Sequence, residues 1–296
     1  MIYTYTLNPS IDHYIYVDRD IEQNGTNRAY KEVCVCGGKG INVSLACKAL
    51  GIGTVCSGVC GGFTGDEILR QLKEKGINCD FIITDADTRI NTKIVNNGSV
   101  TEINSKGTPP DKETLNNIIS YMSRMTKDDT AVISGSMPYD ADTVNMIFKS
   151  ASNSGARFIV DTSGKSLKEA LKYKPYMIKP NINELHELFG VDGGVYENMK
   201  KVLSYGVSVV IVSCGGKGAY YADKGKSGFI PVKDAGYTVK NTTGAGDSMI
   251  AGYLYGEING IDPYICAVSA GSAKAYCEQE LDLNVFRSIV KAYSER

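Results

Sequence analysis

Along most of this chain, the pattern of hydrophobic and polar positions alternates between one typical of buried strands and one typical of helices. Short apolar runs are typical of buried strands, and apolar residues repeated every three or four positions predict helices. The strand-like runs are 2–7, 54–59, 81–83, 131–133, 158–160, 177–178 and 207–212. The helix-like windows are 40–50, 66–75, 111–125, 141–151, 184–188, 247–256, 263–278 and 284–293. This alternation predicts an α/β fold with a mostly parallel central sheet between two helix layers, in a single domain covering residues 1–296.

Two stretches break the alternation, because they have strand patterns with no helix between them. The first covers approximately 12–36 and the second approximately 90–104. Asn97-Gly98 lies within the second stretch and is typical of a two-residue hairpin turn. We expect both stretches to be antiparallel strands that pair into a small inserted β-sheet, a lid over the binding edge of the body. The exposed edges of such a lid favour a homodimer in which two lids cover each other.

The composition argues against several classes of protein. The formal net charge is −1, so the chain lacks the basic surplus expected of a nucleic-acid-binding protein or a polybasic membrane anchor. No run of 18 apolar residues is present and the first residues alternate like a strand, so neither a transmembrane helix nor a signal peptide is expected. Nine irregularly spaced cysteines predict free thiols and a cytoplasmic location.

The sharpest local motif is Asn241-Thr242-Thr243-Gly244-Ala245-Gly246-Asp247-Ser248, directly before an apolar helical window. The segment Gly244, Ala245, Gly246 would turn backbone N–H groups toward one point at a helix start, which suits the charge on a transferring phosphoryl group. Asp247, in the first turn, could accept a proton from a hydroxyl nucleophile. An ordinary helix cap is the simpler interpretation of the same residues.

Two motifs nearer the N-terminus would supply groups for a polar substrate. Gly37-Gly38-Lys39-Gly40-Ile41-Asn42 has the wrong spacing for a Walker A loop, but it could bring the Lys39 ammonium and the Asn42 amide to a ligand. Asp12 follows the first strand, where loops at strand ends form the ligand crevice of an open parallel sheet, and it could accept hydrogen bonds from sugar hydroxyls. A solvated lysine and a turn-forming aspartate are the simpler interpretations.

Three further segments carry candidate binding residues. Asn181 and Glu184 are three positions apart, so they could hold a hydrated Mg²⁺ from one helix face, or form a capping box instead. The segment 210–219 is a buried strand followed by a glycine-rich turn, which fits either a nucleotide loop or a tight hairpin. Arg89 heads a lid strand and could grip a substrate phosphate with two donors, or lie solvated at an edge.

The remaining chemistry-bearing residues match no other site pattern. The Cys34/Cys36 and Cys56/Cys60 pairs lack the spacing of a zinc site. The chain has two histidines and no Gly-x-Ser-x-Gly motif, which argues against a serine hydrolase. No Gly-x-Gly-x-x-Gly follows the first strand, which argues against a nicotinamide-dependent oxidoreductase.

In their order along the chain, the motifs resemble those of the phosphofructokinase-B family of ribokinase-like carbohydrate kinases. The matching segments are Asn8–Asp12, Gly25–Ala29, Gly37–Val43, Thr88–Lys93, Ser134–Pro138, Lys179–Leu185 and Gly244–Ser248. They cover essentially the whole chain. The first segment and the Asn27-Arg28 pair look most like the branch that contains 1-phosphofructokinases and tagatose-6-phosphate kinases.

The resemblance implies ATP and Mg²⁺ as cofactors and a sugar phosphate as the second substrate. It implies that Asp247 is the catalytic base and that Gly244, Ala245 and Gly246 form the anion hole. The implied substrate contacts are Asp12, Gly37, Gly38, Lys39, Asn42, Arg89 and Asp247. The implied nucleotide and metal contacts are Lys179, Asn181, Glu184, Ser213, Gly215, Gly216, Gly218 and Gly246, with Glu184 holding Mg²⁺ through water.

The resemblance leaves more than one activity open. The first hypothesis is phosphorylation of fructose 1-phosphate to fructose 1,6-bisphosphate, and the alternative is phosphorylation of tagatose 6-phosphate to tagatose 1,6-bisphosphate. A non-catalytic sugar-phosphate sensor is a third hypothesis, against which the intact Asp247 argues. The nucleotide loop reads Cys214-Gly215-Gly216-Lys217-Gly218 where the family commonly has Gly-Ala-x-Gly. We expect ATP use to persist because the glycines that must bend are present.

Overall fold

The computed structural model describes residues 1–96 and 99–295. Its strands are β1 (Ile2–Thr6), β2 (Ser10–Val17), β3 (Lys31–Gly37), β4 (Val55–Gly61), β5 (Asn78–Thr84), β6 (Arg89–Asn96), β7 (Ser99–Asn104), β8 (Thr130–Ser134), β9 (Arg157–Asp161), β10 (Met177–Ile178), β11 (Val209–Ser213), β12 (Gly218–Asp223) and β13 (Ser227–Pro231). Its helices are α1 (Lys39–Ala49), α2 (Gly62–Glu74), α3 (Lys112–Ser123), α4 (Ala141–Asn153), α5 (Gly164–Leu171), α6 (Ile182–Phe189), α7 (Gly194–Ser204), α8 (Ala245–Asn259), α9 (Pro263–Ala275) and α10 (Leu283–Ser294).

A nine-stranded sheet forms the body, with strand order β13-β12-β11-β10-β9-β8-β1-β4-β5. The pairs from β11 through β10, β9, β8, β1 and β4 to β5 are all parallel, and β12 and β13 add an antiparallel edge. Separate apolar clusters cover the two faces of this sheet. The predicted α/β class with a mostly parallel sheet is therefore confirmed.

Four elements of the body were not predicted from the sequence, namely α5, α7, β12 and β13. The two helices are short, and each buries only a few side chains against the body. The two strands follow the glycine-rich turn and form an antiparallel extension of the sheet, which partly exposes them to solvent. Each of the four elements therefore buries only some of its residues against the body.

The lid is a separate four-stranded sheet with strand order β3-β2-β6-β7. The two inserted stretches do pair into one sheet, as predicted, although β2 begins at Ser10 and so starts earlier than expected. The expectation of purely antiparallel strands was wrong, because β2 and β6 pair in parallel where the two insertions meet. The predicted turn, Asn97-Gly98, lies outside the described residues, but the flanking strands β6 and β7 pair antiparallel with Asn96 opposite Ser99.

Helices α8 and α9 cross at very short range in the middle of one helix layer. Both are buried around most of their circumference, which explains why they lack a one-sided apolar pattern. A side-chain carbon on Gly252 of α8 would overlap the carbonyl oxygen of Cys266 and lie 2.6 Å from Cβ of Ala270, both in α9. Glycine therefore permits this crossing, and the crossing fixes how the N-terminal turn of α8 sits beside the C-terminal turn of α9.

The state of the cysteines and the apolar length of the helices were both expected from the composition. All nine cysteines lie in the described ranges and all are free thiols, as predicted, with Cys47, Cys56 and Cys266 among those in the core. Burial raises the pKa of each of these three thiols to about 12, so they behave as small apolar side chains. No helix in the described part of the chain is long and apolar enough to cross a membrane.

Candidate active site

The carboxyl ends of the parallel strands bring the candidate residues to one edge of the sheet. Asp161 ends β9, Lys179 directly follows β10, and Ser213 ends β11. Helix α1 begins at the same edge, where the backbone N–H of Ile41 donates to Thr6 Oγ1 at the end of β1. Open α/β sheets bind ligands outside this edge.

Asp247 occupies the first turn of α8 and is only 6% exposed. Its Oδ2 accepts a hydrogen bond of 2.8 Å from Nδ2 of Asn42 in α1. Burial raises the pKa of Asp247 to about 6, and the Asp161 carboxylate adds to the rise, whereas Lys39, Asn42 and Lys179 oppose it. A carboxylate with a pKa near neutrality is a better proton acceptor than an exposed aspartate, whose pKa is about 3.9.

Asp161 contacts two of the predicted site lysines, Lys39 and Lys179, and its role was not predicted from the sequence. Its fully buried carboxylate lies 3.2 Å from Nζ of Lys39 through Oδ1 and 3.3 Å from Nζ of Lys179 through Oδ2. Burial alone would lower the pKa of Lys39, but the charges of Asp161 and Asp247 raise it overall. The only sequence signal for Asp161 was its place at the carboxyl end of a predicted strand.

The start of α8 has the geometry of an anion site. Gly244 caps the helix with a left-handed φ of 78°, and Ala245 and Gly246 are its first residues. Among the described residues no side chain caps this end. The N–H of Ala245 donates to the carbonyl oxygen of Thr242 at 3.1 Å, so the N–H groups of Gly246 and Asp247 are the ones left for a ligand. A side chain on Gly246 would lie 3.3 Å from Nζ of Lys179, so glycine lets the lysine lie beside the helix start.

Asp12 lies on the lid strand β2, in a network of lid residues. Its Oδ1 accepts hydrogen bonds from Ser10 Oγ at 2.9 Å and Asn91 Nδ2 at 3.0 Å, and its Oδ2 lies 3.3 Å from Nζ of Lys93. A side chain on Gly37 would lie 2.8 Å from Cγ of Asp12, so this glycine makes room for the carboxylate. Asn91 and Lys93 were not singled out from the sequence as site residues, although they share a predicted lid strand with Arg89.

Arg89 ties the lid to the loops beside it. Its Nε, Nη2 and Nη1 donate to the carbonyl oxygens of Pro9, Asn8 and Ser105 at 3.3, 3.1 and 2.7 Å. Burial lowers the pKa of Arg89, although Asp12 partly offsets this. A guanidinium group has five N–H donors, so three are used in the lid and two are left for an anion.

Asn181 and Glu184 form the capping box that was the structural alternative for this motif. Asn181 Oδ1 accepts from the backbone N–H of Glu184 at 2.9 Å, and Glu184 Oε2 accepts from that of Asn181 at 2.8 Å. Asn181 also forms a parallel bridge with Ser213. The segment after β10 and the glycine-rich turn after β11 therefore lie side by side, as a shared nucleotide site would require.

The glycine-rich turn joins β11 and β12 into an antiparallel hairpin, the second of the two structures considered for it. Gly215 begins a short 3₁₀ turn with a positive φ of 58°. Gly218 has a φ of 125°, and a side chain there would overlap the carbonyl oxygen of Ile230 in β13. Position 218 thus requires glycine because strand β13 lies so close. No described atom lies within 4 Å of a side chain placed on Gly216, so no close neighbour requires glycine there.

The acidic groups at this edge suit a hydrated Mg²⁺ better than a closed metal site. Within residues 1–96 and 99–295, no three His, Cys, Asp or Glu side chains are gathered so as to hold a metal ion. The capping box uses one carboxylate oxygen of Glu184 and leaves the other available. Mg²⁺ commonly binds through one or two carboxylates together with waters and substrate phosphates, so Glu184 fits such an ion through water.

A cleft of about 680 Å³ lies between the lid and the body. Asp12 and Lys93 line its lid side, while Asn42, Gly244 and Lys274 line its body side. This volume falls within the range of small-molecule sites, roughly 300–1,000 Å³. The cleft thus joins the lid network to the N-terminal turn of α8.

Comparison with known proteins agrees with this arrangement. Residues 5–278 match the sequence profile described as pfkB family carbohydrate kinase. A 1-phosphofructokinase of Borreliella burgdorferi is 38% identical over 288 residues, covering 93% of this chain and 92% of the relative. A tagatose-6-phosphate kinase of Staphylococcus epidermidis is 34% identical over 270 residues, covering 88% of this chain and 86% of the relative. The solved structure of phosphofructokinase-2 from Escherichia coli, in complex with potassium, is 26% identical with a TM-score of 0.90, covering 99% of both chains.

Proposed function

This chain belongs to the pfkB family of carbohydrate kinases, and from that premise we propose that it transfers the γ-phosphoryl group of ATP to fructose 1-phosphate, giving fructose 1,6-bisphosphate. The observation that carries the proposal is the buried Asp247 carboxylate at a helix N-terminus that no described side chain caps. Phosphoryl transfer to a hydroxyl needs a proton acceptor for the nucleophile next to a site for the developing phosphoryl charge. The 38% identity to a 1-phosphofructokinase supports fructose 1-phosphate as the acceptor.

Asp247 acts in this proposal as the proton acceptor. The Asn42 amide holds one carboxylate oxygen through its 2.8 Å hydrogen bond and leaves the other to the sugar hydroxyl. The transition state of phosphoryl transfer is loose, so orienting the hydroxyl in line with the phosphoryl group matters more than strong basicity. The proton then moves to Asp247 late in the reaction.

The free N–H groups in the Gly244–Asp247 turn and the Lys179 ammonium receive the phosphoryl oxygens, whereas the N–H of Ala245 is held by the carbonyl oxygen of Thr242. They converge at the start of α8, where the helix dipole also favours negative charge. Mg²⁺ bound with ATP supplies charge neutralisation between the phosphates, and Glu184 would hold it through water. The Asp161 carboxylate keeps Lys39 and Lys179 in position without itself contacting the nucleotide.

The lid binds the sugar phosphate in this proposal. Asp12 accepts hydrogen bonds from sugar hydroxyls, and the two remaining donors of Arg89 hold the phosphate that the sugar already carries. Closing the cleft over both substrates excludes water, which would otherwise compete with the sugar hydroxyl for the phosphoryl group.

Tagatose 6-phosphate is the second candidate substrate, and the 34% identity to a tagatose-6-phosphate kinase favours it. Both reactions make a ketohexose bisphosphate, so the same anion sites serve either sugar. A sugar-phosphate sensor would need neither a proton acceptor nor an open helix N-terminus, so Asp247 argues against that function.

Release of ADP from Mg-ATP with fructose 1-phosphate, fructose 6-phosphate and tagatose 6-phosphate in parallel tests the proposal. We expect a preference in kcat/KM of at least about a hundredfold for fructose 1-phosphate, roughly 2.7 kcal/mol of differential transition-state binding. A preference of this size for tagatose 6-phosphate over the other two sugars would assign the enzyme to tagatose 6-phosphate. ADP release with none of the three would contradict both substrates.

The acid limb of kcat/KM is expected to have its midpoint near pH 6, the value to which burial raises the pKa of Asp247. Only the ionised carboxylate accepts a proton, so activity rises through this pH. The native protein binds this proton more tightly than the unfolded chain, so the stability it contributes is full at low pH and is lost as pH rises from about 4 to about 6. A pH–rate profile with parallel thermal unfolding measures both trends, and an acid limb centred near pH 4 would contradict the raised pKa.

We also propose that the lid is shared in a homodimer. Strand β7 is an edge of the lid, all six of its residues are exposed, and Val100 and Ile103 are 52% and 60% exposed. An unpaired edge with exposed apolar side chains is normally covered by a partner. Light scattering should report twice the chain mass of 32.0 kDa.

The cysteines support a reducing compartment as the place of action. All nine are free in the structure, and disulfides are rare in the cytoplasm. We therefore propose a cytoplasmic location, which also supplies ATP.

A further inference from the structure

Lys274 is a buried cation that the proposed mechanism does not use. It lies in the last turn of α9, is only 9% exposed, and its Nζ has no hydrogen-bond partner among the described residues. An unpaired charge away from water is costly, and proteins normally pair such groups or place them where a ligand supplies the partner. We therefore expect a bound anion to pair with the Lys274 ammonium.

The ammonium lies beside the N-terminal turn of α8. Cε of Lys274 would be 3.6 Å from a side-chain carbon on Gly244, and Nδ2 of Asn42 would be 3.7 Å from the same point. Lys179 approaches the other end of this turn, at Gly246. The turn is thus flanked by two lysines, one from the sheet edge and one from α9.

Only one of these two lysines has its charge balanced by the protein. Lys179 shares the Asp161 carboxylate with Lys39, at 3.3 and 3.2 Å. Lys274 has no such partner among the described residues, and burial lowers its pKa even though Cys277 and Asp247 act in the opposite direction. The end of the Lys274 side chain also lies beside the N-terminus of α8, where the helix dipole is positive and disfavours a second positive charge. Both lysines flank this turn and only Lys179 is paired with a carboxylate, so an anion bound at the turn would balance the charge of Lys274.

We propose that Lys274 binds the phosphoryl group undergoing transfer, closing the anion site at Gly244–Gly246 from the side opposite Lys179. This deepens the proposed kinase function and rests on it. The cation contributes most when negative charge accumulates on the transferring group and the leaving oxygen, so its main effect is on kcat. Lys274 lines the same cleft as Asn42 and Gly244, so its side chain borders the space that a ligand there would fill.

Lys274→Met is the decisive variant because methionine keeps the length of the side chain and removes its charge. We expect kcat to fall about a hundredfold, the usual effect of removing one group that stabilises a developing oxyanion, with the KM for the sugar phosphate within about threefold of wild type. We expect its melting temperature to be equal to or above that of wild type, since an unpaired buried charge is removed. Lys274→Arg keeps the charge and should retain at least about a tenth of the wild-type kcat.

Three outcomes would overturn the inference. A raised KM for the sugar phosphate with unchanged kcat would mean that Lys274 holds the phosphate already on the sugar. A lower melting temperature with a proportionate loss of activity would mean a structural role, and unchanged kinetics would mean no role in the reaction. Lys291→Met, on the exposed face of α10, is the matched control and should change neither kcat nor KM.

Nucleotide binding separates this inference from the choice of sugar. Calorimetry without sugar compares ADP with the β,γ-imido analogue of ATP, each with Mg²⁺. We expect wild type to prefer the analogue, which carries the γ-phosphoryl group, and Lys274→Met to lose most of that preference. This result would stand even if none of the three sugars is a substrate. An undiminished preference in the variant would overturn the role of Lys274 alone, whereas no nucleotide binding by wild type would overturn the kinase proposal as well.

Discussion

Replacing Asp247 by asparagine is expected to lower kcat about a thousandfold while ATP remains bound. The asparagine amide fills the same space and can still pair with the Asn42 side chain, but it cannot take the proton of the attacking hydroxyl. Proton transfer by a positioned side chain contributes roughly a hundredfold to ten-thousandfold, so the loss falls within that span. ADP release measures kcat, and calorimetry with the imido analogue measures nucleotide binding.

The Asp247 variant should also be at least as stable as wild type at neutral pH. The wild-type carboxylate is ionised there although burial raises its pKa to about 6, so its charge disfavours the fold. Asp66→Asn, an exposed change in α2, is the matched control and should leave both activity and stability unchanged. Activity of Asp247→Asn within about tenfold of wild type would remove Asp247 from the mechanism.

Replacing Gly252 by alanine should destabilise the protein by about 2 kcal/mol, although alanine is the better helix former by about 1 kcal/mol. The added methyl group would overlap the carbonyl oxygen of Cys266, and it would lie 2.6 Å from Cβ of Ala270. Both helices are buried, so neither can move away without disturbing the layer around it. Thermal unfolding should show a melting temperature lower by about 5 °C.

Gly53→Ala is the control for that change. Gly53 has no described atom within 4 Å of an added side-chain carbon and its φ is not positive, so alanine should alter stability by no more than about 0.5 kcal/mol. A Gly252→Ala protein as stable as wild type would mean that the crossing of α8 and α9 is looser than described. Activity should fall with stability in that variant, because the same crossing positions the first turn of α8.

The sheet and its main helices could be predicted because their signal is local. A buried strand such as β8 is a continuous apolar run, and a helix such as α4 repeats its apolar residues at helical spacing. The parallel pairing of β2 with β6 could not be predicted in this way. It depends on where two insertions meet in space, and neither insertion carries a local sign of its partner's direction.

In the candidate site too, residues marked by a local motif could be predicted from the sequence, and residues defined by distant contacts could not. Asp247 could be found because its neighbours Gly244 and Gly246 mark it within one short motif. Asp161 could not, because its importance comes from two lysines, one of which lies 122 positions earlier in the chain. Lys274 was equally hidden, since a single lysine among small helical residues gives no sign that its ammonium is buried beside Gly244.

The distance along the chain between α1 and α8 has a consequence for protein synthesis. Val43 and Cys47 of α1 belong to the same apolar cluster as Ile250 and Leu254 of α8, and Asn42 meets its partner Asp247 across 205 positions. On the ribosome, α1 therefore emerges long before α8, and the part of α1 that packs against α8 stays uncovered until α8 follows. A chain released before α8 would have neither a proton acceptor nor a closed core on this face. The product of premature termination would therefore have no kinase activity, and it would be bound by chaperones or degraded by proteases.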